Sequence, residues 1–216
     1  MLGRTGARVV LAARSAAELE CVAAEIRVAG GEALAIPTDI SQEADVVGLF
    51  ARAKEQYGRL DVLVNNAGIG LFGAVATGSV EDLDRMYQVN ARGTFLCCRE
   101  AMKLMTPSRR GYIINITSVV AFKGYPNQAG YTASKHAVAG ITKTLAVEAQ
   151  QHGIRVSMIH PGGVDTEMVR QARPDLDPSV LLQPDDISQA VAFLLSLSER
   201  AAVDEIYVRR RASAPF

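Results

Sequence analysis

The sequence predicts a doubly wound parallel α/β sheet. Short apolar runs alternate with longer segments of helical period along the whole chain, the pattern of strands joined by crossover helices. Several of the runs are apolar on both faces, as strands covered by helices on each side must be. No repeat or low-complexity linker interrupts them, and 216 residues suit one domain spanning 1–216.

The first strand is ARVVLAA (7–13). Ser15, with Glu18 three residues on, reads as a capping box opening the first helix. EALAIPT (32–38) follows, then a segment through Tyr57 with Ser41 as its cap. LDVLVNN (60–66) is the third strand. Ser79, followed by Glu81 and Asp82, opens a long helical segment to about Met105, with the acids complementing the helix dipole. GYIINIT (111–117), a helix over 128–152, IRVSMIH (154–160), a helix over 185–198 and EIYVRR (205–210) complete the alternation. Right-handed crossovers put the ligand outside the carboxyl ends of the strands, so chemistry is expected just after each strand.

Charge narrows the function class. The 23 basic and 23 acidic residues cancel, which speaks against a nucleic-acid or anionic-membrane partner. The apolar stretches are far short of a membrane span, and the run at 9–13 is stopped by Arg14 before it reaches the length of a signal-peptide core. Cys21, Cys97 and Cys98 are odd in number, with two adjacent, so they make no disulfide framework, and a reducing cytoplasm is expected. They have no metal-ligand spacing to His136, His152 or His160, and no metal site is expected. Arg209, Arg210 and Arg211 read as a solvated tail.

Three features carry chemistry. Tyr131 and Lys135 lie four apart at the start of a helix and share a face. A cation there favours phenolate; bringing a phenol from about 10 towards 7 takes roughly 4 kcal/mol and would make it a general acid or base. Ser118 follows the strand GYIINIT, where a hydroxyl can polarise a substrate carbonyl. Asn90 sits inside the long helical segment, a poor place for asparagine unless its side chain has a task. Each alone has a plainer reading, as a half-exposed pair, a turn residue and a satisfied amide.

Together they carry a resemblance. Asn65-Asn66-Ala67-Gly68, Asn90, Ser118, Tyr131-Thr132-Ala133-Ser134-Lys135 and Pro161-Gly162-Gly163-Val164-Asp165-Thr166 resemble, in order and spacing, the short-chain dehydrogenase/reductase family. The resemblance implies a Rossmann-like fold and hydride transfer between a nicotinamide cofactor and a carbonyl/alcohol pair. It makes Tyr131 the proton donor and Lys135 the group that lowers its pKa and holds the nicotinamide ribose. Ser118 would position the carbonyl, and Asn90 would anchor a water that connects Lys135 to solvent. Asn66, Ala67 and Gly68 would line the adenosine ribose, Asp39 the adenine, and Pro161, Gly162, Val164 and Thr166 the nicotinamide end. Arg14, at the end of the first strand, suits a 2′-phosphate, so NADP(H) is favoured, with NAD(H) the alternative. Leu71, Phe72, Val119, Phe122 and Met168 are expected around an apolar carbonyl substrate under a small lid over 165–183. A homo-oligomer, dimer or tetramer, is the family expectation.

Gly68-Ile69-Gly70-Leu71-Phe72-Gly73 matches the dinucleotide fingerprint in letters but not in context, because AVATGS separates it from the next helix. The resembled family begins with a strand and Thr-Gly-x-x-x-Gly-x-Gly, which this chain lacks. The expectation is an N-terminal truncation of roughly twenty residues, about two-thirds of a βαβ unit. In the family order 3-2-1-4-5-6-7 the absent strand is central, leaving its neighbours about 9.5 Å apart. Its loss would forfeit on the order of 10 kcal/mol of burial, against a net stability of about 5–15 kcal/mol. The pyrophosphate would then be held weakly. The competing reading is a non-catalytic remnant or partner subunit that keeps Asn90, Ser118, Tyr131 and Lys135 by descent.

Overall fold

The computed structural model describes residues 1–215, leaving aside the Arg4 side chain. Six parallel strands form: β1 (Arg8–Ala13), β2 (Glu32–Pro37), β3 (Val62–Asn65), β4 (Gly111–Ile116), β5 (Ile154–Pro161) and β6 (Glu205–Val208). They alternate with α1 (Ala16–Val28), α2 (Glu43–Tyr57), α3 (Val80–Met86), α4 (Thr94–Met105), α5 (Ala129–Gln150), α6 (Glu167–Ala172) and α7 (Pro184–Ser196). This is the α/β alternation expected.

The strands form two sheets. One pairs β1 with β2, Val10 opposite Leu34; the other runs β3-β4-β5-β6, with Ile113 between Leu63 and Val156. Among the described residues β1 and β3 are each paired on one side only, and the break lies where a central strand was expected to be lacking. One core nevertheless spans it. Ile36 of β2, Phe50 of α2, Leu96 and Met105 of α4, and Ile113 and Val156 of the larger sheet share a cluster, with Val10, Ala12 and Leu63 packed against it. The two sheets are therefore held by helix packing, a non-directional term that scales with buried apolar area.

The helix starts test the capping expectations. Ser15 accepts from the Glu18 amide at 3.3 Å, one half of the expected box; the reciprocal bond from Glu18 is absent among the described residues. Ser79 caps α3 through the Asp82 amide at 3.1 Å. Ser41 is not the cap of α2. Gln42 holds that position, because the Ser41 hydroxyl instead donates to Asp39 Oδ1 at 2.7 Å. No helix among the described residues is long and apolar enough to cross a membrane. Cys97 and Cys98 are buried free thiols whose pKa burial raises to about 12, so they stay protonated; Cys21 is exposed.

Between α3 and α4 the expected long helix departs from α geometry. Tyr87–Gly93 forms a π-helix, and Asn90 is buried within it. Such segments insert an extra residue per turn and recur at functional sites. A buried polar line also crosses the sheet. Asn65 Nδ2 donates to Asn115 Oδ1 at 2.8 Å, and Asn115 Nδ2 donates to Thr142 Oγ1 at 2.8 Å. It ties β3, β4 and α5 in one register directly beneath the site, since buried amides demand partners.

Candidate active site

Ser118 lies two residues beyond β4 and Tyr131 in the first turn of α5; both line a cavity of about 120 Å³. Phe72, from the loop after β3, packs edge-on to Tyr131 with ring centroids 5.7 Å apart. Hydrogen bonding with Ser118 lowers the Tyr131 pKa, but burial outweighs it and raises the phenol to about 12. This corrects the expectation that Lys135 brings the phenol down. Lys135 Nζ stands 5.8 Å from the Tyr131 ring centroid and donates to the Ile116 carbonyl at 3.2 Å. Burial also lowers the Lys135 pKa to about 8, so the ammonium is itself strained as a cation.

Asn90 reaches this centre from the π-helix. Its Oδ1 accepts from the Ile69 amide at 2.8 Å, and its Nδ2 donates to the Ile69 carbonyl at 2.8 Å and to Ser134 Oγ at 3.0 Å. The amide thus clamps the post-β3 loop to α5, the element that carries Tyr131 and Lys135. Gly68 closes the group: a Cβ there would stand 3.2 Å from Asn90 Oδ1 and 3.3 Å from Lys135 Nζ. Asn90, Tyr131, Lys135 and Ser118, predicted from scattered positions, therefore converge.

The residues expected around a cofactor fall along the same ends of the strands. Asn66 and Ala67 are exposed just after β3, and Pro161 ends β5. Gly162 lines the cavity, and its amide donates to the Val208 carbonyl at 2.7 Å. Val164 bridges to Leu182, and Thr166 caps α6, accepting from Val169 at 3.4 Å. Arg14 is exposed after β1 and helps lower the Asp39 pKa, though the main cause is the Ser41 hydroxyl bonded to that carboxylate. Asp39 Oδ1 also accepts from the Ser41 amide at 2.9 Å, a local turn ahead of α2 and not its cap. Neither Arg14 nor Asp39 lines the cavity. The loop at Gly68–Gly73 leads into a 3₁₀ turn at Val75–Thr77, not into a helix, so the fingerprint letters there have no helix dipole behind them.

A family model described as short chain dehydrogenase matches residues 1–177. The chain belongs to the short-chain dehydrogenase family. A 3beta-hydroxysteroid dehydrogenase of Mediterraneibacter gnavus is 42% identical over 80% of this chain and 63% of that protein. An inactive 2-(S)-hydroxypropyl-CoM dehydrogenase 2 of Xanthobacter autotrophicus is 41% identical over 89% of each. A metagenomic short-chain oxidoreductase solved in complex with NADP superposes with a TM-score of 0.85 at 35% identity, over 98% of this chain and 89% of that one. The fold is Rossmann-like, and the chain is an oxidoreductase of the hydride-transferring kind.

The cavity departs from expectation in two ways. Phe72, Val119 and Met168 line it, but Leu71 and Phe122 do not; Phe122 turns out to the surface against His160 and Tyr207. Arg209 and Arg210 are not a solvated tail. Both are half-buried and line the cavity, while Arg211 is exposed. They follow β6, and the rule that chemistry sits after each strand would have singled them out. His160, which sequence spacing considers only as a metal ligand, has another place in the structure. It is buried beneath Ser118, with Nδ1 2.7 Å from Thr117 Oγ1 and 3.3 Å from the Ser118 carbonyl, and Nε2 facing Glu205 at 3.2 Å. Burial lowers its pKa, so it sits there as a neutral ring.

Proposed function

We propose that this chain reduces a carbonyl compound, or oxidises the matching alcohol, with NADP(H), and that Tyr131 exchanges the proton. The observation that carries the reading is that the Tyr131 phenol and the Ser118 hydroxyl line one cavity, with the buried Lys135 ammonium 5.8 Å from the Tyr131 ring centroid. A nicotinamide, when bound, supplies or accepts the hydride. The residues suit that group: Gly68 leaves bare the space where a side chain would meet both Asn90 and Lys135, and Lys135 has donors beyond its one bond to Ile116. Lys135 would hold the ribose, with Asn66, Ala67 and Gly68 towards the adenosine and Pro161, Gly162, Val164 and Thr166 towards the nicotinamide. Arg14, exposed after β1, suits a 2′-phosphate, and the NADP complex of the similar oxidoreductase supports the same preference. Asp39 is left for the adenine.

Ser118 would donate to the substrate oxygen and set the carbonyl against Tyr131. A phenol held protonated by burial suits reduction, in which it gives its proton to the developing alkoxide. Asn90 would hold a water that returns the proton through Lys135. The whole described chain would act as one unit in the cytoplasm, as a homo-oligomer through the face where Tyr87 and Phe95 are exposed. NADPH consumption at saturating cofactor with a panel of ketones tests this. Turnover that falls at least a hundredfold in Tyr131→Phe is expected; equal rates would refute it.

A second reading is a non-catalytic partner subunit. The one-sided pairing of β1 and β3 favours it, as does a similar protein named inactive. No turnover by the chain with any ketone, at any NADPH concentration, would decide for it.

A further inference from the structure

We propose that the substrate carries an anionic group, a carboxylate, sulfonate or phosphate, which Arg210, with Lys123, binds in the cavity that Ser118 and Tyr131 line. The inference deepens the proposed function and rests on it for the location of the reacting carbonyl.

Four cationic side chains line the cavity that holds Ser118 and Tyr131: Lys123, Arg173, Arg209 and Arg210. No aspartate or glutamate is among its lining residues. Three of the four already have partners, Lys123 over the Tyr125 ring among them. Arg173 grips Asp175 through Nε and Nη2, both at 2.7 Å. Arg209 Nη1 donates to the Ser213 carbonyl at 2.6 Å and, at 3.3 Å each, to the carbonyls of Arg210 and Arg211, folding the chain end into a turn. Arg210 is half-buried, its Cδ and Nε lying 3.6 Å from the Cβ position of Gly163. Its guanidinium makes no hydrogen bond or ion pair with the described residues, and Asp175 feels it only through space.

A half-buried arginine whose guanidinium has no hydrogen-bonded or ion-paired carboxylate has lost part of its hydration with only the through-space field of Asp175 to offset it. Its planar fork fits carboxylates, sulfonates and phosphates. Lys123, after β4, also lines the cavity, with Nζ 5.7 Å from the Tyr125 ring centroid. The lining also has an apolar share, with Phe72, Val119, Met168 and Leu176. The cavity is therefore amphipathic, bringing Tyr131, apolar side chains and cations to one space.

The test uses binding as well as turnover. Titration calorimetry on the full chain at saturating NADP would compare a 3-oxo carboxylate, the matching sulfonate and phosphonate, and the neutral methyl ester. The expected result is that anions bind at least tenfold more tightly than the ester, and that Arg210→Met removes roughly tenfold to a hundredfold of anion affinity while leaving the ester unchanged. The ranking of the three anions identifies the group. Lys123→Met adds a smaller loss. Equal affinity for ester and anions, or anion binding unchanged by Arg210→Met, would overturn the proposal. So would a rise in the NADPH KM of Arg210→Met with no change for the ketone, since the cation would then serve the cofactor. Selective anion binding without turnover would sustain the cationic site and refute the catalytic reading, so the two failures are distinct.

Discussion

Replacing Lys135 by methionine is expected to stabilise the fold while removing function. Lys135 is 5% exposed, and burial brings its pKa from 10.5 to about 8. A shift of that size corresponds to roughly 3 kcal/mol of disfavour for the folded, charged form. The folded pKa lies below the unfolded one, so the unfolded chain binds more protons between about pH 8 and 10.5. Stability attributable to Lys135 is therefore lowest below pH 8 and rises as pH climbs through that window. Methionine fills similar volume without charge, at the loss of the bond to the Ile116 carbonyl, about 1 kcal/mol. Urea unfolding should then show Lys135→Met more stable than the parent by about 1–2 kcal/mol at pH 7. By pH 9.5 the parent should have recovered about 2 kcal/mol and the order should be level or reversed. Taking the difference between the two proteins cancels every other titrating group. A variant less stable than the parent by the same amount at both pH values would refute the burial argument.

Other outcomes follow from the same contacts. Met105 is fully buried in the core that joins the two sheets, so Met105→Ala should cost about 2–5 kcal/mol in urea unfolding. Gly111→Ala should also destabilise, because its new Cβ meets the Met105 side chain. His160 has its pKa lowered from 6.5 by burial, so the unfolded chain takes up that proton first and stability is lost as pH falls below about 6.5. His160→Gln should flatten that acid limb in thermal unfolding. Arg14→Glu should raise the KM for NADPH and lower that for NADH, measured in parallel with one ketone; unchanged cofactor preference would remove Arg14 from the site.

Much of this was legible in the sequence because it is periodic or local. Six strands and their crossover helices follow from apolar runs, and Tyr131 with Lys135 follows from helix spacing. What failed to show was set by tertiary surroundings. Ser41 looks like a cap until Asp39 takes its hydroxyl. The sign of the Tyr131 shift depends on burial, which a four-residue spacing does not reveal. The π-helix at Tyr87–Gly93 has no marker beyond an asparagine in an unfavourable place. Arg209 and Arg210 resemble any basic tail until the turn held by Ser213 brings them to the cavity.

The central claim is that Tyr131 gives the proton while a nicotinamide gives the hydride. NADPH deuterated at the transferring position, incubated with a ketone substrate and followed by mass spectrometry of the alcohol, tests it most directly. The account predicts deuterated alcohol from the parent chain and at least a hundredfold less from Tyr131→Phe, with NADPH affinity of the variant unchanged. Deuterium transfer at the parental rate by Tyr131→Phe would contradict it.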